Sequence, residues 1–187
     1  MSLIPATRAA LDPGSRSFGT ALALALLGSL AIALSARVQV PMWPVPMTMQ
    51  SFAVMGIGLL YGARLGAATV GLYLAQGALG LPVFAGGAGL AYLAGPTAGY
   101  LVGFVLAAGA LGALAERGVL RSRVGLGLGL AGATALIFVP GALWLATLVG
   151  PEASLASGIL PFLPGAVVKA ALLALLYRAA TARAARD

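Results

Sequence analysis

The stretch that decides the fold class is Ala166-Val-Val-Lys-Ala-Ala-Leu-Leu-Ala-Leu-Leu-Tyr177, an apolar run interrupted by a single lysine. It lies in a longer apolar segment, about 160–181, which is long enough to cross a lipid bilayer as a helix. Lys169 is the only lysine of the chain. Because a cation within a membrane span is costly, Lys169 is a candidate functional residue that needs an anionic or polar partner.

The rest of the chain has the same character, since 61% of its 187 residues are hydrophobic and only 8% are charged. Five further apolar segments are long enough, or nearly so, to span a membrane. The sequence therefore predicts an all-α integral membrane protein with six transmembrane helices in one domain, 1–187. A core, 18–181, follows a cytoplasmic N-terminal segment, 1–17, and precedes a cytoplasmic tail, 182–187. The five segments lie at about 18–36, 49–61, 65–81, 97–115 and 124–148.

Few side chains of this protein can perform chemistry. The chain has no cysteine and no histidine, which removes thiolate and imidazole chemistry. Its four acids, Asp12, Glu116, Glu152 and Asp187, are far apart in the sequence. No phosphate-binding loop of the Gly-x-x-x-x-Gly-Lys type occurs. We therefore predict no catalytic residue, no metal and no cofactor, and uphill transport would need ATP from another protein.

The placement of positive charge predicts the orientation in the membrane. If the N-terminus is cytoplasmic, only Arg37 and Lys169 lie near the outer face, and all other cations lie inside. The positive-inside rule then gives an N-in, C-in topology. The net charge of +7 is thus explained by contact with membrane lipid and not by nucleic acid. The inner arginines are Arg8, Arg16, Arg64, Arg117, Arg121, Arg123, Arg178, Arg183 and Arg186.

Three long connections face outward in this topology, 37–50, 81–96 and 150–164, and together they predict a binding site that opens to the outside. The first is rich in proline, so it should be extended and stiff. Trp43, Phe84 and Tyr92 lie within the loops and are predicted to line a pocket. Trp144 and Phe162 fit an aromatic belt at the membrane interface instead.

Two readings of Lys169 remain open at this point. Pro164 and Gly165 should delay the start of the last helix, which would put Lys169 about one turn inside its N-terminal end. A lysine beside free backbone N–H groups makes a site for a carboxylate-sized anion. Alternatively, Lys169 snorkels to the outer headgroups.

The amides Gln50 and Gln76, in or beside spans, either join helices or face a polar ligand.

Small residues recur every four positions along the first predicted helix. They form a smooth ridge over which another helix can pack closely. The ridge is either an interface with a partner membrane subunit or part of the packing within this chain. Its members are Ala21, Ala25, Ser29 and Ala33.

Three ordered stretches resemble the BioY family, the biotin-binding S components of energy-coupling factor (ECF) transporters. They are Ala33-Leu-Ser-Ala-Arg-Val-Gln-Val-Pro-Met-Trp-Pro-Val-Pro-Met-Thr-Met-Gln-Ser-Phe52, Gly77-Ala-Leu-Gly-Leu-Pro-Val-Phe-Ala-Gly-Gly87 and Gly95-Pro-Thr-Ala-Gly-Tyr-Leu-Val-Gly-Phe104. The resemblance implies high-affinity biotin capture and uptake in a prokaryotic plasma membrane. It also implies a separate transmembrane scaffold (T) subunit and ABC ATPases as partners.

The resemblance also assigns roles to residues. The loop 39–50 would cap the outward pocket, and Lys169 matches the lysine of a terminal Pro-Gly-Asp-x-x-Lys pattern that faces the ligand. Ala166 stands where that pattern has aspartate, and Arg37 is an additional cation near the site. The expected substrate-binding residues are Lys169, Arg37, Trp43, Gln50, Gln76, Phe84, Gly86, Gly87, Tyr92 and Tyr100.

Other functions compete with this expectation. The chain could be an autonomous biotin facilitator without an ATPase, although no intramembrane acid supports proton coupling. It could also be an S component for another anionic vitamin, or a structural membrane subunit that binds no small molecule.

Overall fold

The computed structural model describes residues 17–184, which form eight α-helices, two 3₁₀ turns and one β-hairpin. The 3₁₀ turns, Val119–Arg121 and Leu160–Phe162, precede the sixth and eighth helices. Arg8, Arg16 and Arg186, with nearly all of the predicted N-terminal segment, lie outside the described residues. In chain order the elements are α1 (Phe18–Ser35), β1 (Gln39–Val40), β2 (Met47–Thr48), α2 (Gln50–Tyr61), α3 (Ala63–Ala78), α4 (Leu90–Leu93), α5 (Ala98–Glu116), α6 (Arg123–Val149), α7 (Pro151–Gly158) and α8 (Leu163–Ala184).

Local sequence explains where several of these helices begin. The Ser17 hydroxyl accepts a hydrogen bond from the Thr20 N–H at 3.2 Å and caps α1. The Ser122 hydroxyl caps α6 in the same way, 2.9 Å from the Gly125 nitrogen. Between α2 and α3 the chain reverses at Gly62, whose φ of +83° would strain any residue with a side chain.

Six helices of twelve or more residues occupy the predicted segments, but they differ in length. At 1.5 Å per residue α2 and α3 measure roughly 18 and 24 Å, less than the ~30 Å hydrocarbon core of a bilayer. Within residues 17–184, four segments are long and apolar enough to cross a membrane. They are Phe18–Ser35, Ala98–Glu116, Arg123–Val149 and Pro151–Arg183.

The start of the last helix differs from the prediction. Pro164 and Gly165 do not delay α8, which begins at Leu163. A proline is tolerated in the first turn because its missing N–H would have no partner there. Lys169 therefore lies in the second turn of α8. The preceding connection, predicted as a loop, contains α7 and a 3₁₀ turn.

The small-residue ridge of α1 is partly buried within the chain. Ala25 and Ser29 are buried, whereas Ala21 and Ala33 are half-buried. The buried face of α1 lies against α2 and α3, and a Cβ on its Gly28 would come within 2.6 Å of Thr69 Cγ2. The burial of Ala25 and Ser29 corresponds to packing within this chain, and contact of the half-buried Ala21 and Ala33 with a partner subunit stays a prediction.

The most extensive helix contact is between α5 and α6. It depends on glycine in α5, since a Cβ on Gly103 would lie 2.6 Å from the Leu136 carbonyl oxygen. A Cβ on Gly99 would lie 2.6 Å from Trp144 Cβ. The backbones of the two helices thus approach closely, as small residues permit in membrane proteins.

Connections gather at the two ends of the helices. At one end, the Ala63 N–H donates to Glu116 Oε1 at 2.8 Å, which joins the α2–α3 junction to the end of α5. At the other end, Arg37 donates from Nη2 to the Pro82 carbonyl and joins the hairpin to the loop after α3. The β1–β2 pairing, Gln39 with Thr48 and Val40 with Met47, makes the predicted extended loop a short antiparallel hairpin.

Candidate functional site

A cavity opens between the hairpin, the loop after α3, and helices α2, α3, α4, α5, α6 and α8. Its wall is mostly apolar with a few polar groups, as is usual for small-molecule sites. Within residues 17–184, no three acidic side chains come together as a metal site would require. The cavity is lined by Val45, Pro46, Thr48, Gln50, Ser51, Tyr73, Phe84, Ala85, Tyr92, Thr97, Tyr100, Leu101, Phe104, Ile137, Phe138, Phe162, Ala166 and Lys169.

Lys169 is the only charged side chain among the described residues of the cavity wall. It is half-buried, and its Nζ donates to the Thr48 carbonyl at 2.5 Å and to the Ser51 hydroxyl at 3.2 Å. The ammonium thus contacts the hairpin and α2 and does not extend away from the protein toward headgroups. Both partners are neutral, so the positive charge of Lys169 is not compensated by a carboxylate in this wall.

A chain of hydrogen bonds crosses the cavity wall beside Lys169. Thr48 Oγ1 donates to Gln50 Oε1 at 3.1 Å, and Gln50 Nε2 donates to the Tyr73 hydroxyl at 2.5 Å. The Tyr73 hydroxyl in turn donates to the Val83 carbonyl at 3.3 Å. Gln50 is only 5% exposed, so its amide needs these partners. The network joins the hairpin, α2, α3 and the loop after α3, and its members Thr48, Gln50 and Tyr73 line the cavity.

An aromatic stack forms the wall on the side of the α3–α5 connection. The Phe84 ring meets Tyr73 edge-on at a centroid distance of 5.5 Å and stacks on Tyr92 at 4.8 Å. Phe84 packs directly over Gly77, where any side chain would collide with the ring. Stacked and edge-on aromatic pairs of this kind make a rigid apolar surface.

Another part of the wall contains Tyr100 and two phenylalanines, Phe138 and Phe162. The Tyr100 hydroxyl donates to the Gly158 carbonyl at 2.8 Å and ties α5 to α7. Phe162 is buried, with its ring centroid 6.3 Å from that of Phe138. The assignment of Phe162 to an interfacial belt was therefore wrong, because the 3₁₀ turn before α8 directs it into the cavity wall.

Five of the ten residues expected to bind substrate lie in this wall: Gln50, Phe84, Tyr92, Tyr100 and Lys169. The other five, Arg37, Trp43, Gln76, Gly86 and Gly87, lie outside it. Trp43 is 85% exposed in the turn between the hairpin strands. Gly86 and Gly87 lie against the Tyr92 ring, where a Cβ would be 3.4 and 3.9 Å from it, so they border the aromatic stack without reaching the cavity.

Several wall residues were not among those expected. Phe104 lies one helical turn beyond Tyr100 in α5, and this spacing alone could have indicated a shared face. No local signal pairs Tyr73 with Gln50, because the two are 23 residues apart and on different helices. Ser51 follows the capping loop, but its role depends on Lys169, 118 residues away.

Comparison with known proteins identifies the family of this chain. A sequence model of the BioY family matches residues 9–186. The chain belongs to the BioY family.

Two curated relatives within the BioY family illustrate the extent of the similarity. The biotin transporter BioY of Rhizobium etli is 40% identical over 169 residues, which is 86% of this chain and 89% of that protein. The probable biotin transporter BioY of Pyrococcus horikoshii is 40% identical over 137 residues, covering 73% of this chain and 80% of that protein. The similarity therefore includes most of the membrane region in both.

A solved crystal structure has a similar fold. The structure of the S component for biotin from an ECF-type ABC transporter superimposes with a TM-score of 0.76 at 27% sequence identity. The match covers 87% of this chain and 91% of the crystallised chain. The helical arrangement described above is thus that of a solved S component.

Proposed function

We propose that this protein captures biotin from outside the cell as the S component of an ECF-type transporter, and that it is not an enzyme. The observation that carries the proposal is a mostly apolar cavity whose wall contains one charged group, Lys169, in a chain of the BioY family. The chain itself has no nucleotide-binding loop, so ATP hydrolysis belongs to partner ATPases joined through a T subunit.

Biotin matches the chemistry of the wall group by group. Its thioether bicycle and aliphatic tail suit the Phe84–Tyr92 stack and the neighbouring apolar side chains. Its ureido group needs both donors and acceptors, which the Gln50–Tyr73 pair offers. Its carboxylate is best met by Lys169, since the Arg37 guanidinium is outside the wall and already donates to the Pro82 carbonyl.

The proposed topology has six membrane-crossing helices, with both termini in the cytoplasm of a prokaryotic cell. The hairpin then lies at the outer face and closes over bound biotin. Val45, Pro46 and Thr48 of this hairpin contribute to the cavity wall, which supports the role as a cap. The helices α2 and α3 are shorter than the hydrocarbon core. The hairpin next to α2 and the loop after α3 would supply the rest of each crossing.

A calorimetric titration of the purified chain in detergent tests the ligand. We expect a 1:1 complex with biotin and a Kd below about 1 μM, which corresponds to about −8.2 kcal/mol. Thiamine, riboflavin and a fatty acid serve as comparison ligands. Tighter binding of one of these would assign a different vitamin, and absence of binding by all four would favour a structural subunit.

Transport assays separate the S component from an autonomous facilitator. The chain alone in liposomes should bind biotin without accumulating it inside. Concentrative uptake should appear only after T and ATPase subunits are added together with ATP. Uptake by the chain alone would contradict the dependence on partners while leaving biotin as the ligand.

A further inference from the structure

A second groove runs along the outer surface of the α5–α6 pair, away from the biotin cavity. Its walls are wholly apolar and much of it is exposed. On α6 it extends from Leu128 to Leu143, which is roughly 22 Å of helix. One leaflet of a bilayer offers about 15 Å of hydrocarbon, half of the usual core, so the groove can hold a whole acyl chain.

Missing side chains create the depth of this groove. Gly129 and Gly132 of α6 and Ala110 of α5 contribute to its lining. A Cβ on Gly132 would meet no protein atom within 4 Å, so the space above this residue is open. The groove is therefore a gap in the protein surface that another molecule must fill when the chain is in a membrane.

One end of the groove carries three positive charges. Arg117 and Arg121 lie in the connection between α5 and α6, and Arg123 is the first residue of α6. Leu114, which precedes them in α5, and Leu128, which follows them in α6, both line the groove. All three are exposed, and their guanidinium groups have no hydrogen bond or ion pair with residues 17–184. The nearby acid Glu116 accepts a hydrogen bond from the Ala63 N–H. Three cations at one end of an apolar groove are complementary to an amphiphile with an anionic head.

We propose that this groove binds an anionic diacyl phospholipid, with one acyl chain between α5 and α6 and the phosphate at the three arginines. A second copy of the chain is a poorer occupant. Two parallel copies related by an axis along the membrane normal would bring their arginine clusters together at the same level, and like charges repel. A zwitterionic lipid such as phosphatidylcholine would fill the gap, but its choline cation offsets the charge of its phosphate, so the net charge of the three arginines would remain uncompensated.

Native mass spectrometry of the purified full chain tests this proposal. Phosphatidylglycerol and phosphatidylcholine with identical acyl chains are titrated separately after delipidation. We expect one phosphatidylglycerol to bind at least about tenfold more tightly than phosphatidylcholine, since each arginine near the headgroup contributes about a fivefold preference. Glycerol 3-phosphate, added in excess, should not displace the lipid, because the acyl chain is part of the site.

Two kinds of variant separate the parts of the site. Gly132→Leu places a side chain in the open groove and should weaken binding of both lipids by about tenfold or more. Gly127→Leu is the matched control, because Gly127 lies on the same helix, also faces open space and is not part of the groove. The double variant R121Q/R123Q should lose most of the preference for phosphatidylglycerol and keep the weaker binding seen with phosphatidylcholine.

Equal binding of the two lipids by the wild type would overturn the proposal. So would full retention of phosphatidylglycerol by both Gly132→Leu and R121Q/R123Q. A dimer of the delipidated wild type that Gly132→Leu abolishes would assign the groove to a second copy and would also overturn it. The thermal unfolding temperature of each variant shows that it is folded. None of these measurements uses biotin, so they test lipid binding independently of the proposed function.

Discussion

Lys169 connects three parts of the protein through one ammonium group. It projects from α8, donates to the Thr48 carbonyl of the hairpin and donates to the Ser51 hydroxyl of α2. Ala166, one turn earlier on α8, also lines the cavity and leaves Lys169 without an acidic neighbour there. A half-buried cation with only neutral partners favours an anionic ligand, because an ion pair would compensate its charge.

Replacement of Lys169 by methionine tests the proposed contact with the biotin carboxylate. Methionine keeps much of the length of the side chain and removes the charge. We expect biotin binding to weaken by about 1.5–3 kcal/mol, the usual contribution of a hydrogen bond to a charged group. Calorimetry with biotin and with biotinamide is the measurement, and the preference for the acid over the amide should disappear.

Ser51→Ala is the matched control for this variant. It removes one hydrogen bond from Lys169 while keeping the charge and the bond to the Thr48 carbonyl. Its affinity for biotin should fall by less than that of Lys169→Met. Unchanged affinity in Lys169→Met, or an equal loss in both variants, would mean that Lys169 only anchors the hairpin.

A second residue-scale prediction concerns Tyr73. Tyr73→Phe removes the hydroxyl that accepts from Gln50 Nε2, so a buried amide loses its partner. The free energy of unfolding should fall by about 1–3 kcal/mol. Chemical unfolding in detergent measures the change, with Tyr177→Phe as control, because no described hydrogen bond engages the Tyr177 hydroxyl. An equal effect of the two variants would show that the Gln50–Tyr73 contact does not stabilise the protein.

At the scale of elements, close packing of α5 on α6 positions one side of the cavity. Leu101 and Phe104 of α5 and Ile137 and Phe138 of α6 all belong to the cavity wall. The side chains can occupy these positions because Gly103 lets the two backbones approach. The distance between the helices therefore sets the width of the cavity.

Gly103→Ala should separate the two helices. The added methyl would lie 2.6 Å from the Leu136 carbonyl oxygen, and overpacking of this kind costs about 1–3 kcal/mol of unfolding free energy. Gly71→Ala makes the same change in α3, where a Cβ meets no atom within 4 Å, so it should be neutral or stabilising. If Gly103→Ala were as stable as the wild type, the α5–α6 contact would have to be looser than described.

At the scale of the whole molecule, the cavity wall combines residues from the hairpin, six α-helices and the connections between them. A ligand in such a cavity holds distant segments together. Binding and the order of the hairpin should therefore be coupled, since exchange of the hairpin amides requires it to move away from α8.

Hydrogen exchange measures this coupling. Some amides of residues 39–48 exchange only when the hairpin opens. With biotin at 100 times its Kd, the exchange rate of these amides should fall by about 100-fold. Segment 123–135, which is distant from the hairpin in the sequence and absent from the cavity wall, should be unchanged and serves as the internal control. Equal exchange of the hairpin with and without biotin would contradict its role as the cap.

Much of the helical framework could be predicted because its signals are local. An apolar segment forms a helix in a bilayer whatever its neighbours are, since its own backbone must satisfy its hydrogen bonds. The bounds of α1 and α2 agree with the predicted segments within a residue or so. The start of α8 was harder, because Pro164 is a breaker inside a helix but acceptable in a first turn.

The site was predictable only where a residue was unusual by itself. Lys169 was found because it is a lone cation in an apolar run, and Phe84 and Tyr92 because they are aromatic residues in a glycine-rich loop. Arg37 was equally unusual, yet it donates to the Pro82 carbonyl outside the cavity wall. A sequence signal marks such a residue as exceptional without giving the direction of its side chain.

The sequence by itself determined the membrane class, the positions of the long helices and the family. Hydropathy and charge act over short segments, and the family motifs are runs of contiguous residues. Only the tertiary structure decided that Thr48, Tyr73 and Lys169 share one cavity wall and that Ala25 and Ser29 of the α1 ridge are buried. These residues are far apart in the chain, and their proximity results from how the helices pack. A repeat of small residues favours close packing but does not say which helix approaches it.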